Sequence, residues 1–195
     1  MKPFTQGLLF EFDGLTPESI CVDAGSHEGN WGHEMWSRYK CKIVAFEPLP
    51  EYIAKTHERL KGTGAIIMPM ALWGGGCSLD AFGVHGAMSG AYSDGGKQLV
   101  TKVGIQDLFG ILHLVKVDVD KIGVLKLNVE ASEFGILERI LENSIATRFE
   151  NIIVQPHNII PDAESRWKRI DDWLQETHDL VWHADWCWSG YKLRK

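Results

Sequence analysis

The sequence predicts an α/β fold, an open, mostly parallel sheet wound with helices on both faces. Two observations carry that expectation. Short apolar runs closed by Gly, Pro, Asp or Glu alternate with stretches of helical periodicity along the 195 residues. The final stretch, DLVWHADWCWSGYKLRK, has no helix between its apolar runs and reads as a closing antiparallel hairpin. No repeat, charge block or linker interrupts the alternation, so one domain over residues 1–195 is expected.

Residues 19–24 (SICVDA) form the first apolar run and predict a buried strand. A helix follows over Asn30–Tyr39, with Trp31, Met35, Trp36 and Tyr39 on one face and Asn30 as N-cap. Residues 41–46 (CKIVAF) predict a second strand, stopped by Glu47 and Pro48. Residues 50–61 predict a helix with proline in its first turn and Gly62 just beyond its end. A third strand is expected over 65–72. Residues 77–84 and 98–103 could then pair around the Gly/Ser-rich stretch 85–97, which is expected to cover or border a ligand site.

Residues 115–119 alternate but are charged, which predicts an edge strand or a loop. Residues 124–129 (VLKLNV) predict the next strong strand, and Ser132–Glu142 a helix with Phe134, Leu137 and Leu141 inward. Asn151–Val154 predicts a further buried strand. Asp162 then caps a helix carrying Trp167, Ile170 and Leu174.

The net charge of −6 and pI near 5.7 argue against nucleic-acid binding through a dominant basic face. No run approaches the roughly 18 apolar residues of a spanning helix, and the first residues, MKPFTQGLLFEFDG, make a poor signal peptide. Cys21, Cys41, Cys77 and Cys187 show neither metal-ligand nor disulfide spacing, and Cys21 and Cys41 read as buried free thiols. A reducing, cytoplasmic setting with no bound metal and no membrane partner is therefore expected. The composition leaves oligomeric state open.

Ligands of such sheets bind outside the carboxyl ends of the strands. Asp23-Ala-Gly25-Ser-His-Glu-Gly29 joins the first strand to its helix. A dinucleotide fold would place glycine where His27 stands, because backbone must approach a pyrophosphate there. A nucleoside ligand without that phosphate needs only a tight turn, and Asp23 could take an ammonium group. The alternative is an ordinary turn in which Asp23 satisfies local amides. Glu47 ends the second strand 24 residues after Asp23. That is close to the separation of about 20 residues expected of a ribose-binding acid, which can accept from both hydroxyls; the alternative is a solvated acid opening the turn before Pro48.

Five segments in order, VDAGSHEGNWG, VAFEPLPE, MALWG, LKLNVEASE and IIVQPH, make the chain resemble the FkbM-type methyltransferases, a branch of the class I S-adenosylmethionine-dependent enzymes. The resemblance implies a Rossmann-like, doubly wound sheet of seven strands with an antiparallel C-terminal hairpin. It also implies O-methylation of a hydroxyl on a small molecule or glycan. Carried over, Asp23, Gly25, Ser26 and Gly29 would line the methionine end of the cofactor, with His27 in the same turn. Glu47 and Pro48 would meet the ribose, and Ala71 and Leu72 the adenine. Where the family usually reads K-I-D-V-E-G, this chain has Lys126-Leu-Asn128-Val-Glu130-Ala131, and Gln155-Pro-His157 stands for a usual Glu-x-His. Two carboxylates have become amides.

Methyl transfer from a sulfonium can rest largely on positioning, and a base near the acceptor adds about 10²–10⁴-fold. His157 ends a strand on the ligand side with a reference pKa near 6.5, so it is the candidate base; the alternative is a histidine bonded within its turn. Asn128 cannot be a base but can orient an acceptor or the methionyl tail. Glu130, two residues on along an extended chain, could orient the acceptor or cap the next helix. Lys126 is expected to be structural and to need a carboxylate partner. Trp31 or Trp73 could stack on a sugar, although aromatic residues more often fill space. The run Asp118-Val-Asp120 resembles a metal motif only superficially. Two other functions fit part of the pattern: a protein binding the cofactor or its demethylated product without turnover, and a nicotinamide-dependent oxidoreductase, which His27 disfavours.

Overall fold

The computed structural model describes residues 2–84, 96–117 and 119–195, the side chains of 80–84 and 96–97 excepted. The expected border loop therefore lies, over 85–95, outside the described residues, as does Asp118. The chain opens with a two-residue strand β1 (Lys2–Pro3), then β2 (Ile20–Ala24), α1 (Asn30–Tyr39), β3 (Lys42–Phe46) and α2 (Pro50–Arg59). Next come β4 (Ile66–Met68), β5 (Ala71–Trp73), the pair β6 (Ser78–Val84) and β7 (Gly96–Gly104), and α3 (Leu108–Leu114). The last third holds β8 (Val124–Leu127), α4 (Ser132–Glu142), β9 (Asn151–Val154), α5 (Ala163–Leu174), β10 (His178–Ala184) and β11 (Trp188–Leu193).

Eight strands form the main sheet in the order β1-β10-β11-β9-β8-β2-β3-β4. β11 runs antiparallel to both its neighbours, while β9, β8, β2, β3 and β4 are mutually parallel. This is the mostly parallel, doubly wound sheet with a C-terminal antiparallel hairpin that the sequence predicts, extended by one short edge strand. Side chains alternate between its faces. Ile20, Val22 and Ala24 face a core with α3, α4 and α5, whereas Cys21, Ile43 and Ala45 face one with Trp31 and Met35 of α1. Burial on both faces is why these strands read as continuous apolar runs. Cys21 and Cys41 are buried and free, as expected.

The structure corrects several element boundaries. The strand expected over 65–72 is two: β4 joins the main sheet, and β5 joins a second sheet of order β5-β7-β6. Pro69 lies between them and cannot donate to a ladder, and the Met70 N–H turns back to Met68 O. The helix α3 was not expected, although Leu108 and Leu112 are spaced one turn apart and fully buried. Residues 115–117 are not a strand; they close α3, with Lys116 at a φ of 63°. Asn30 opens α1 but its N-cap is Gly29, and neither α1 nor α5 has a side-chain cap bond. Among the described residues no helix is long and apolar enough to cross a membrane.

Candidate active site

The carboxyl ends of β2, β3 and β8, with β5 beside them, enclose a cavity. Gly25, His27, Glu47, Pro48, Ala71, Leu72, Asn128 and Glu130, all singled out in the sequence, line it. Asp23, Ser26, Gly29 and His157 do not. The parallel register of β2 with both β3 and β8 sets the arrangement, because the three strands release their loops at one level.

Glu47 is 5% exposed, and its carboxylate accepts from the His27 N–H at 2.9 Å and the Leu49 N–H at 3.0 Å. Both donors are backbone, so the acid is held rigidly where it lines the cavity. Burial raises its pKa to about 7, partly opposed by those two amides. His27 is therefore more than an obstacle to a phosphate. With φ at 52°, its N–H orients Glu47, and its ring packs on Tyr52 at 4.0 Å between centroids. Burial holds its own pKa below the usual imidazole value. Tyr52 and Leu49 also line the cavity and were not anticipated. The signal was present, since Leu49, Tyr52 and Thr56 recur at helical spacing and all three are buried.

Asp23 is placed differently from the expected ammonium site. It is fully buried, and Oδ1 accepts from Lys126 Nζ at 2.7 Å across the β2–β8 register pair. The same ammonium donates to Gly25 O at 2.7 Å and Ala24 O at 3.4 Å. Lys126 thus has the carboxylate partner it requires, and it holds the first turn from beneath. The acceptor left open in the cavity wall is Asn128 Oδ1, which is buried and has no hydrogen-bond partner. Ser26 Oγ lies 3.4 Å from Thr56 Oγ1, and a Cβ on Gly29 would stand 3.3 Å from Thr56 Cα, so both face α2.

His157 requires a correction. Its backbone N–H donates to Glu133 Oε1 at 2.8 Å, its Nδ1 lies 3.1 Å from the same oxygen, and its Nε2 lies 3.3 Å from Glu130 Oε1. Burial alone would lower its pKa, but the hydrogen bonds its ring donates to Glu130 and Glu133 outweigh that and raise it to about 9. A ring held protonated at neutral pH with both nitrogens engaged by carboxylates is poorly suited to the general-base role expected of it. Glu130 also departs from expectation. β8 ends at Leu127, and Glu130 and Ala131 take left-handed φ values of 49° and 72°, so no extended chain carries Glu130 beside Asn128. Its side chain pairs with His157 rather than capping α4, whose N-cap is Ala131.

The linkage of His157 has a definite sign. A pKa raised on folding stabilises fully below the unfolded value of about 6.5, and the benefit disappears as pH rises through 9. His157→Gln should therefore cost about 3 kcal/mol at pH 6, progressively less as pH rises from about 6.5 to 9, and little of that above pH 9. Urea unfolding at pH 6 and pH 9.5 measures it, and equal losses at both would contradict the imidazolium assignment.

The tryptophan candidates are otherwise engaged. Trp31 is buried and donates from Nε1 to Leu9 O, so it fills the core. Trp73 donates to Gly76 O and has Lys102 Nζ 4.7 Å from its ring centroid, away from the cavity lining. Among the described residues no group of three or more His, Cys, Asp or Glu side chains is arranged to hold a metal ion.

The sequence model of the methyltransferase FkbM domain matches residues 23–180, which include every cavity-lining position. No curated protein matches. Among solved structures, an rRNA methylase from Streptococcus thermophilus is similar over 100% of this chain and 98% of that one, with 16% identity and a TM-score of 0.56. The fibrillarin pre-rRNA processing protein of Methanococcus jannaschii is similar over 94% of this chain and 70% of its own, with 10% identity and a TM-score of 0.52. Identities this low speak for the shared fold alone. The family match, spanning four fifths of the chain, decides the rest: the protein belongs to the FkbM family of S-adenosylmethionine-dependent methyltransferases.

Proposed function

We propose that this enzyme methylates a hydroxyl oxygen of a neutral small molecule or glycan. The observation that carries the reading is the pair of carboxylates at the cavity, Glu47 from the end of β3 and Glu130 from the turn after β8, with no lysine or arginine among its described lining residues. An acidic, cation-free wall disfavours a phosphate-bearing acceptor close to the reacting atoms, and the net charge of −6 acts in the same direction.

The residues present fit the cofactor. Glu47 would accept from the ribose hydroxyls, Ala71 and Leu72 would pack on the adenine, and the unpartnered Asn128 Oδ1 would take the methionyl ammonium. Asp23 Oδ2 also has no hydrogen-bond partner, but Asp23 does not line the cavity and its Oδ1 is held by Lys126, so Asn128 is the better placed of the two. When bound, S-adenosylmethionine supplies an electrophilic methyl group. The test is S-adenosylhomocysteine formation from S-adenosylmethionine with a panel of neutral alcohols and sugars, and with an RNA oligonucleotide beside them. Turnover confined to the neutral hydroxyl compounds is expected. Methylation of the RNA, or binding without turnover on any compound, would overturn the reading.

A further inference from the structure

The turn between β8 and α4 holds two consecutive non-glycine residues in the left-handed region, Glu130 and Ala131. Such backbone persists only where its surroundings over-determine it, and it concentrates at functional sites. Three side chains surround this turn in a continuous line. Glu133, in the first turn of α4, is completely buried, and its Oε1 takes both the backbone N–H and the Nδ1 side of His157. His157 in turn presents Nε2 to Glu130 Oε1, while Glu130 is 20% exposed and reaches the cavity. These two glutamates are the charged groups that pair with the ring among the described residues.

A neutral imidazole carries one N–H and can serve one carboxylate; the doubly protonated ring serves both. The ring therefore ties a buried, immobile acid to an acid at the cavity. Glu130 Oε1 is taken up by this contact and its Oε2 is not.

We propose that Glu133 and His157 form a brace holding Glu130 at the acceptor end of the cavity, where Glu130 Oε2 receives the acceptor's hydroxyl proton. The inference rests on the O-methyl-transfer reading above and assigns its proton path. The acceptor O–H bond breaks, its electron pair stays on the oxygen that takes the methyl carbon, and the C–S pair remains with sulfur as the neutral thioether. The proton passes to the Glu130 carboxylate and from its exposed edge to solvent. Glu130 is the catalytic residue in this account; His157 and Glu133 are positioning residues.

Two measurements on the full chain separate the brace from the reading it rests on. Histidine ring titration by NMR, without cofactor or acceptor, should place His157 above pH 8 in the wild type, and Glu133→Gln should lower it by at least about one unit. Calorimetry with S-adenosylhomocysteine should give Glu133→Gln an unchanged affinity. With whichever alcohol or sugar the panel finds, Glu133→Gln should lower kcat at least about tenfold with little change in KM, and Glu130→Gln should lower it further. Wild-type kcat should also fall above pH 9, as the ring loses one of its two protons, and Glu133→Gln should shift that limb to lower pH. Glu133→Asp should restore part of the loss. A wild-type ring titrating near 6.5 overturns the brace, and so does undiminished kcat in Glu133→Gln. A high ring value with S-adenosylhomocysteine bound but no compound methylated overturns the transfer reading, and Glu130's role with it.

Discussion

Lys126→Met should lose about 3–5 kcal/mol of folding stability, the usual cost of removing one partner from a buried ion pair. Asp23 lies in the interior of β2 with no exposed surface, and Lys126 supplies its ion-pair contact at 2.7 Å. Methionine matches the lysine stem in bulk, so packing is largely kept and what disappears is the charge. The Asp23 carboxylate then sits uncompensated between two strands, and Gly25 O loses the ammonium that binds it at 2.7 Å. A second variant isolates the cause. Asp23→Leu combined with Lys126→Met removes both charges, and replacing a buried pair by apolar groups is often close to neutral. The double variant should recover most of the loss in urea unfolding, with the orphaned Gly25 carbonyl accounting for a residue of about 1 kcal/mol. A double variant as unstable as Lys126→Met would show that charge pairing is not the cause.

Gly25→Ala should be destabilising by about 3 kcal/mol or more, from two sources that act together. Gly25 has a φ of 73°, where an alanine costs roughly 1–2 kcal/mol. Its Cβ would also stand 2.0 Å from Asn128 O, a backbone atom that cannot swing aside. Forcing β2 and β8 apart there adds an overpacking cost of about 1–3 kcal/mol. The family resemblance places this glycine along the methionine end of the cofactor, and a constraint from that ligand alone would leave the fold intact on substitution. The structure puts the Asn128 backbone, just past the end of β8, in close contact with it, so Gly25→Ala should lower the unfolding midpoint even without cofactor. An unfolding midpoint equal to the wild type would return the constraint to the ligand.

What could be read from the chain beforehand follows a physical division. β2, β3, β8 and β9 are legible because burial on both faces leaves apolar runs that nothing else resembles. Glu47 could be singled out because it follows an apolar run at that distance from a glycine turn, and it lines the cavity. The break between β4 and β5 has a local signal in Pro69, which cannot donate to a ladder. Contacts across the sheet have no such signal. Asp23 and Lys126 are 103 positions apart and meet only once β8 is registered against β2. His157 looks like a free base until Glu133, 24 residues earlier on α4, is found against its ring. Protonation state is set by such tertiary partners, and a local segment carries no trace of them.

The central claim is that the cavity at the ends of β2, β3 and β8 holds an adenosine-type cofactor through Glu47, and calorimetry with S-adenosylhomocysteine tests it most directly. At pH 8 the wild type should bind, and Glu47→Ala should bind more weakly by about 1.5–3 kcal/mol, the scale of a charged hydrogen bond. The pH dependence adds a second signature. With its pKa raised to about 7 by burial, Glu47 is mostly ionised at pH 8 and mostly protonated at pH 6. Ribose hydroxyls donate to the ionised form, so wild-type affinity should fall by up to about tenfold between those values. Glu47→Ala should be nearly flat over the same range. Equal affinities of the two proteins at pH 8, with no pH dependence in the wild type, would place the cofactor elsewhere and contradict the account.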